Sequence, residues 1–234
     1  MSAMLYIAAK APRAGLAKTR LARTIGDAAA ITLYRAFLRD LAARFSAGPR
    51  PFGLGWYITP DDAWPELAPL VDLSERPPQT LGQGAGDWTE RQRRLFRGAA
   101  ERGERKLILI ASDSPQLSLE TIEEALRQLD RHDLVLGPTY DGGYSLIGMR
   151  GWRDVLHNIP MSTSSVCEQI IARARQLAVT VALLEPTFDI DEAADLHRLR
   201  QMAATRPDLS ATRAALRALD RAHIATSSAH NPGA

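Results

Sequence analysis

The chain is nearly without cysteine, and its single thiol, Cys167, excludes an internal disulfide. Cys167 falls in an apolar-periodic helical stretch, which reads as a small core residue rather than a nucleophile. Long hydrophobic runs are also lacking: the longest are far too short to span a bilayer. No basic stretch followed by an apolar one marks a secretory leader. A soluble, cytoplasmic protein with no membrane partner is the expectation. Charge of one sign is lacking too. With 29 Lys and Arg against 27 Asp and Glu, the formal net charge is only +2, which gives no case for nucleic acid as a partner. The 5 histidines fall in no metal-ligand spacing, and no GxSxG elbow supports a Ser-His-Asp triad. Repeats and low-complexity blocks are absent apart from a small, polar tail over 225–234.

What is present is enough for one sizeable domain: 234 residues, 45% of them hydrophobic. Apolar runs predict strands over 4–9, 53–58, 107–111, 134–137, 144–148 and 179–184, with a brief one at 71–73. Helical periodicity predicts helices over 26–45, 87–102, 118–130, 163–177 and 191–204, and a short one opening near 59–62. Residues 77–86 read as a Gly- and Gln-rich loop. Strands alternating with helices predict an α/β fold with a mostly parallel sheet. The domain is expected to end near 206, followed by a helix over 207–223 and a disordered tail over 224–234.

Several segments could carry chemistry. Ser112-Asp113-Ser114-Pro115 directly follows the five-residue aliphatic run 107–111. Such a run suits a strand buried on both faces, and an acidic group past its carboxyl end lies where open α/β sheets bind ligands. Asp113 there could hold a divalent cation, or merely cap the next helix. The loop 10–20 gathers Lys10, Gly15, Lys18 and Arg20 after the first strand, a set that suits a polyphosphate or an ordinary basic surface. It is neither a Walker A loop nor a dinucleotide fingerprint. Gln83 and Gly84 precede Asp87, which with Glu90 also fits a capping box. Asp141, Gly142, Gly143 and Tyr144 fit a turn between strands, and the same turn could lay backbone amides against a sugar or phosphate. Asp189, Asp191 and Asp195 follow the last strand, where capping and coordination are both open.

Taken together and in order, these segments resemble the DUF2064 family of GT-A-like proteins, some of which are called arsenosugar-biosynthesis glycosyltransferases. The resemblance runs from about residue 5 to about residue 199, and its specificity lies in the set of motifs rather than in any one. It implies a Rossmann-like nucleotide-diphospho-sugar transferase domain over 1–206, with a mostly parallel central sheet, a short antiparallel insertion and helices on both faces. By that analogy Lys10, Gly15, Lys18, Arg20, Gln83, Gly84 and Asp87 would bind the nucleotide. Asp113 would be a catalytic and metal-binding acid, with Asp189 and Asp191 completing a site for Mg2+ or Mn2+. Asp141 would be a candidate base, and Gly142, Gly143, Tyr144, Ser162 and Thr163 would line the acceptor side.

Two positions depart from the family pattern. Met161 stands where a tryptophan usually precedes the Ser-Thr pair, which bears on acceptor stacking. The acidic motif lacks the second aspartate of the common DxD form, which bears on metal dependence. The expected function is glycosyl transfer from a nucleotide-diphosphate sugar to a small-molecule acceptor. The loop at 17–21 is also similar to that of 2-phospholactate guanylyltransferases. That supplies the alternative, nucleotidyl transfer from an NTP to a phosphorylated acceptor; a degenerate nucleotide-binding domain is a third reading.

Overall fold

The structure, a computed structural model, describes residues 3–71, 78–161 and 163–229. The elements run β1 (Ala3–Lys10), α1 (Thr19–Ile25), α2 (Asp27–Ser46), β2 (Gly53–Thr59), α3 (Trp64–Val71), β3 (Gln79–Gly82), α4 (Trp88–Glu101) and β4 (Lys106–Ala111). They continue with α5 (Leu119–Gln128), β5 (Leu134–Pro138), β6 (Tyr144–Arg150), α6 (Val166–Gln176), β7 (Val181–Leu183), α7 (Asp195–Thr205), a 3-10 turn (Pro207–Leu209) and α8 (Ser210–Ala229). The strands form one sheet in the order β3-β2-β1-β4-β6-β5-β7.

Alternation within the strands explains the two-sided core. In β1, Leu5, Ile7 and Ala9 enter one hydrophobic cluster, while Tyr6 enters the other. In β4, Ile108 and Ile110 join the first and Leu107 and Leu109 the second. The period of two leaves no face free for water, so both faces need helices. Residues of α1, α2, α3, α5, α7 and α8 cover the first face, and those of α4 and α6 the second. Each large side chain buried in this way, such as Phe37, Phe45 or Trp56, stabilises the fold by about 1.5–3 kcal/mol.

β6 runs antiparallel between β4 and β5, and the other neighbouring pairs are parallel. The expected mostly parallel α/β sheet with a short antiparallel insertion is what the chain adopts. The reversal matters for the site. It brings the start of β6, at Tyr144, to the edge where the parallel strands end.

Three local expectations are corrected. Val71, expected to open a brief strand, instead closes α3, and 72–73 lie outside the described residues. The strand is β3, inside the stretch read as a loop, where parallel pairing with β2 overrides a sequence with little intrinsic strand preference. The C-terminal helix continues to Ala229, into the stretch expected to be disordered. It is anchored at its start, where the buried Asp40 of α2 accepts hydrogen bonds from the Ala211 and Thr212 amides at 2.9 and 2.8 Å. The rest of that stretch, 230–234, lies outside the described residues.

Candidate active site

A cavity of about 570 Å3 opens at the edge where β1 and β4 end and β6 begins. Such an edge is the usual ligand crevice of an open α/β sheet. Its most polar part is an acidic cluster around Lys18. That residue adopts a left-handed backbone (φ 51°) at the head of α1, and its side chain is only 3% exposed. The Lys18 ammonium lies 3.2 Å from Asp113 Oδ2 and 3.5 Å from Asp191 Oδ1, and also donates to the Ile190 carbonyl. The Phe37 ring lies beneath it, 5.9 Å away. Arg20 reaches Asp191 from the rim at 3.5 Å.

Asp189 completes the cluster and accepts a hydrogen bond from Ser114 Oγ at 2.8 Å. Burial, with the negative charges of Asp113 and Asp191, pushes its carboxyl up to about 7, against the pull of Ser114 and Lys18. Asp113 goes the other way. Burial raises it, but the Lys18 charge and hydrogen bond prevail and hold it below the usual carboxylate range. Asp113 and Asp191 thus share one buried ammonium, Arg20 adds a second cation on Asp191 at the rim, and Asp189 behind them has no ion-pair partner among the described residues, so three carboxylates stand against two cations.

Around the cluster, Tyr34 ties two strand ends together. Its buried hydroxyl lies 2.8 Å from Ser112 Oγ, accepts from the Lys10 amide at 3.0 Å and donates to the Lys10 carbonyl at 3.2 Å. Burial raises its pKa, so it remains a neutral donor. On the α4 side, Gln83 donates to the Tyr57 carbonyl at 2.8 Å and accepts from Arg91 at 3.3 Å. Arg91 lines the cavity and has no carboxylate in ion-pair range among the described residues. At the far end the Tyr144 hydroxyl donates to buried Gln92 Oε1 at 2.8 Å, and Trp88 and Met161 add apolar walls.

Of the residues expected from sequence, Lys10, Lys18, Arg20, Gln83, Asp113, Asp141, Gly143, Tyr144, Thr163, Asp189 and Asp191 all line this one cavity. Asp141 is held in its turn by hydrogen bonds from Thr139 Oγ1 and the Gly143 amide. Chiefly the Thr139 bond keeps its carboxyl below the ordinary range, which fixes it as an anion and weakens it as a base.

Four expected residues are not part of the lining: Gly15, Gly84, Asp87 and Gly142. Asp87 caps α4, and with Glu90 it forms a complete capping box. The Gly84 amide is committed to Asp61 at 2.8 Å. Gly142 (φ +87°) lets its turn pass against the Ser164 backbone, where a Cβ would come within 1.8 Å of the Ser164 carbonyl oxygen. Gly15 (φ +76°) sits in an open turn with nothing near a would-be Cβ. Ser162 lies outside the described residues. Tyr34, Arg91 and Gln92 were not assigned from sequence, since aromatic and polar residues at helical spacing resemble core and surface.

A ready cage of three or more Asp, Glu, His or Cys is absent among the described residues. The donor chemistry nevertheless fits Mg2+ or Mn2+. These hard cations are commonly held by one or two carboxylates together with substrate phosphates, and this cluster has carboxylate charge in excess of its lysine. No helix among the described residues is long and apolar enough to cross a membrane.

Known proteins share this architecture. A protein-family model described as an uncharacterized protein conserved in bacteria (DUF2064) matches residues 59–163. A 3-phospho-D-glycerate guanylyltransferase of Phenylobacterium zucineum (strain HLK1) is 30% identical over 192 residues, covering 79% of this chain and 85% of that protein. A crystal structure from Desulfovibrio desulfuricans G20, provisionally named a nucleotide-diphospho-sugar transferase, superposes with a TM-score of 0.85 at 26% identity. The match covers 94% of this chain and 96% of that one. A 4-diphosphocytidyl-2C-methyl-D-erythritol synthase of Anaerococcus prevotii shares the fold at 10% identity, with a TM-score of 0.56 over 87% of this chain and 98% of that one.

Proposed function

The chain belongs to the DUF2064 family, and from that premise we propose that it transfers a glycosyl group from a nucleotide-diphosphate sugar to a small-molecule acceptor. One observation carries the reading: three carboxylates, Asp113, Asp189 and Asp191, gathered at the ligand edge of the sheet in excess of the cations Lys18 and Arg20 that pair with them. Asp113 and Asp191, backed by Asp189, would hold Mg2+ or Mn2+. Bound there, the metal ion would supply electrostatic stabilisation of a diphosphate.

The chain's own groups do the rest. Lys18 is buried and fixed by its two carboxylates, so its charge is aimed before substrate arrives. Lys10 and Arg20 add charge at the rim of the same cavity. Contacts from these cations strengthen as negative charge builds on the departing nucleoside diphosphate, which lowers the barrier rather than only tightening the ground state. Gln92, Tyr144, Trp88 and Met161 shape the end of the cavity assigned to the acceptor, with Thr163 and the Gly143 backbone beside them. Asp141, ionised and oriented by its turn, would be the candidate base on that side, a weak one because Thr139 and the Gly143 amide hold its carboxyl below the ordinary range.

A second reading is supported by the guanylyltransferase relative: an acceptor phosphate attacks the α-phosphorus of an NTP and pyrophosphate departs. The same cations would serve it. Incubation of the purified protein with NTPs and NDP-sugars plus Mn2+ separates the two. Release of NDP supports glycosyl transfer; release of pyrophosphate without NDP overturns it in favour of nucleotidyl transfer. No turnover and no thermal shift with any nucleotide defeats both.

A further inference from the structure

We infer that Arg44 and Asp208 are positioning residues for the loop that presents Asp113. The inference rests on the transferase reading of the cavity, and it concerns groups that do not line it.

Arg44 projects from α2, and its side chain is only 4% exposed. Its guanidinium divides its donors between two structures. Nη1 donates to the Pro115 carbonyl at 2.9 Å and to the Leu117 carbonyl at 2.6 Å. Nε and Nη2 donate to the Asp208 side chain and the Asp208 carbonyl. The intervening Gln116 carbonyl accepts from Arg206, which also forks onto Asp208. Three consecutive loop carbonyls are therefore held by two guanidinium groups, and both guanidinium groups are held by one carboxylate.

On its other side, the same loop is stitched to the segment after β7 that carries the remaining acids. Ser114 Oγ donates to Asp189, and Gln116 Nε2 donates to the Phe188 carbonyl. The spacing of Asp113 from Asp189 and Asp191 is thus set by a clamp whose outer jaw is the 206–208 segment. Carbonyls of an irregular loop could otherwise turn to solvent. With them fixed, Asp113 and Ser114 present their side chains to the cluster. A displacement of about 1 Å at such a site can lower turnover about 10²-fold.

Calorimetry with GDP and with UDP, each with Mn2+, tests this on the full chain. Arg44→Lys keeps the charge but loses the fork, and should weaken binding about tenfold. Asp208→Asn should weaken it about fivefold. Asp208 is 34% exposed, so its variant carries the test should Arg44→Lys fail to fold. Asp220→Asn breaks the 2.7 Å Arg200–Asp220 pair between α7 and α8, far from the loop, and should leave affinity unchanged. Amide exchange at 112–117 should rise in Asp208→Asn while that of β2 does not. If Asp208→Asn lowers the melting temperature but leaves affinity and loop exchange as in wild type, the role is merely structural and the inference is overturned. If the wild-type chain binds neither nucleotide, it is the transferase reading that falls, and the inference with it.

Discussion

Two aspartate clusters stand on either side of one loop, and they are opposites. Around Asp189, three carboxylates meet the Lys18 ammonium and, at the rim, Arg20, and burial and like charge push Asp189 up to about 7. Around Asp208, one carboxylate meets two guanidinium groups, and chiefly the Arg206 hydrogen bonds, with the Arg44 charge, hold it down at about 2. The residue type is the same, so burial on one side and cationic hydrogen-bond donors on the other decide. The second cluster has cations in excess of its carboxylate and can serve as a brace. The first has carboxylates in excess of its cations, which suits a site that takes up a further one.

Several experiments would break or sharpen this contrast. The largest effect belongs to the carboxylate-rich cluster: Asp113→Ala should cut turnover at least about 10²–10³-fold, the scale for losing one group that stabilises transition-state charge. Its circular dichroism should stay native, and an unfolded variant would instead assign Asp113 to the fold. Next comes the brace. Arg44→Ala removes a buried cation and leaves Asp208 and two loop carbonyls short of donors, so chemical denaturation should register a loss of about 3 kcal/mol.

The pH response of the brace has a definite sign. The folded carboxyl of Asp208, at about 2, lies below the unfolded value of about 3.9, so the native state binds fewer protons there. Its contribution is present above about pH 4 and is lost as pH falls toward 2. Melting temperatures of wild type and Asp208→Asn should therefore converge across that window; a constant gap would deny Asp208 its charged role. The smallest effect is expected at an aspartate with neither environment. Asp87→Ala should cost about 1 kcal/mol through the lost helix cap, with nucleotide affinity unaltered by calorimetry.

The sheet was legible where strands are buried on both faces, because unbroken aliphatic runs such as 107–111 have few other homes. The acids and lysines of the cavity were legible because they follow strand ends at one edge. β3 was not, since its four residues, Gln79–Gly82, owe their conformation to β2 rather than to themselves. The brace was not either. Asp208 follows Pro207 and reads locally as a helix start, while Arg44 looks like a solvated position on an amphipathic helix. Gly15, Gly84, Asp87 and Gly142, read as site residues, lie outside the cavity lining: turn and cap chemistry uses the same residue types as ligand chemistry, and spacing alone does not separate them.

The clamp on the Asp113 loop also imposes an order on manufacture. Arg44 and its acidic partner are 164 positions apart in the chain. A ribosome delivers the central strands, Lys18 and Asp113 long before it delivers the 206–208 segment. The nascent polypeptide can thus collapse around its sheet while the loop is still unfastened, and competence arrives only with the final helices.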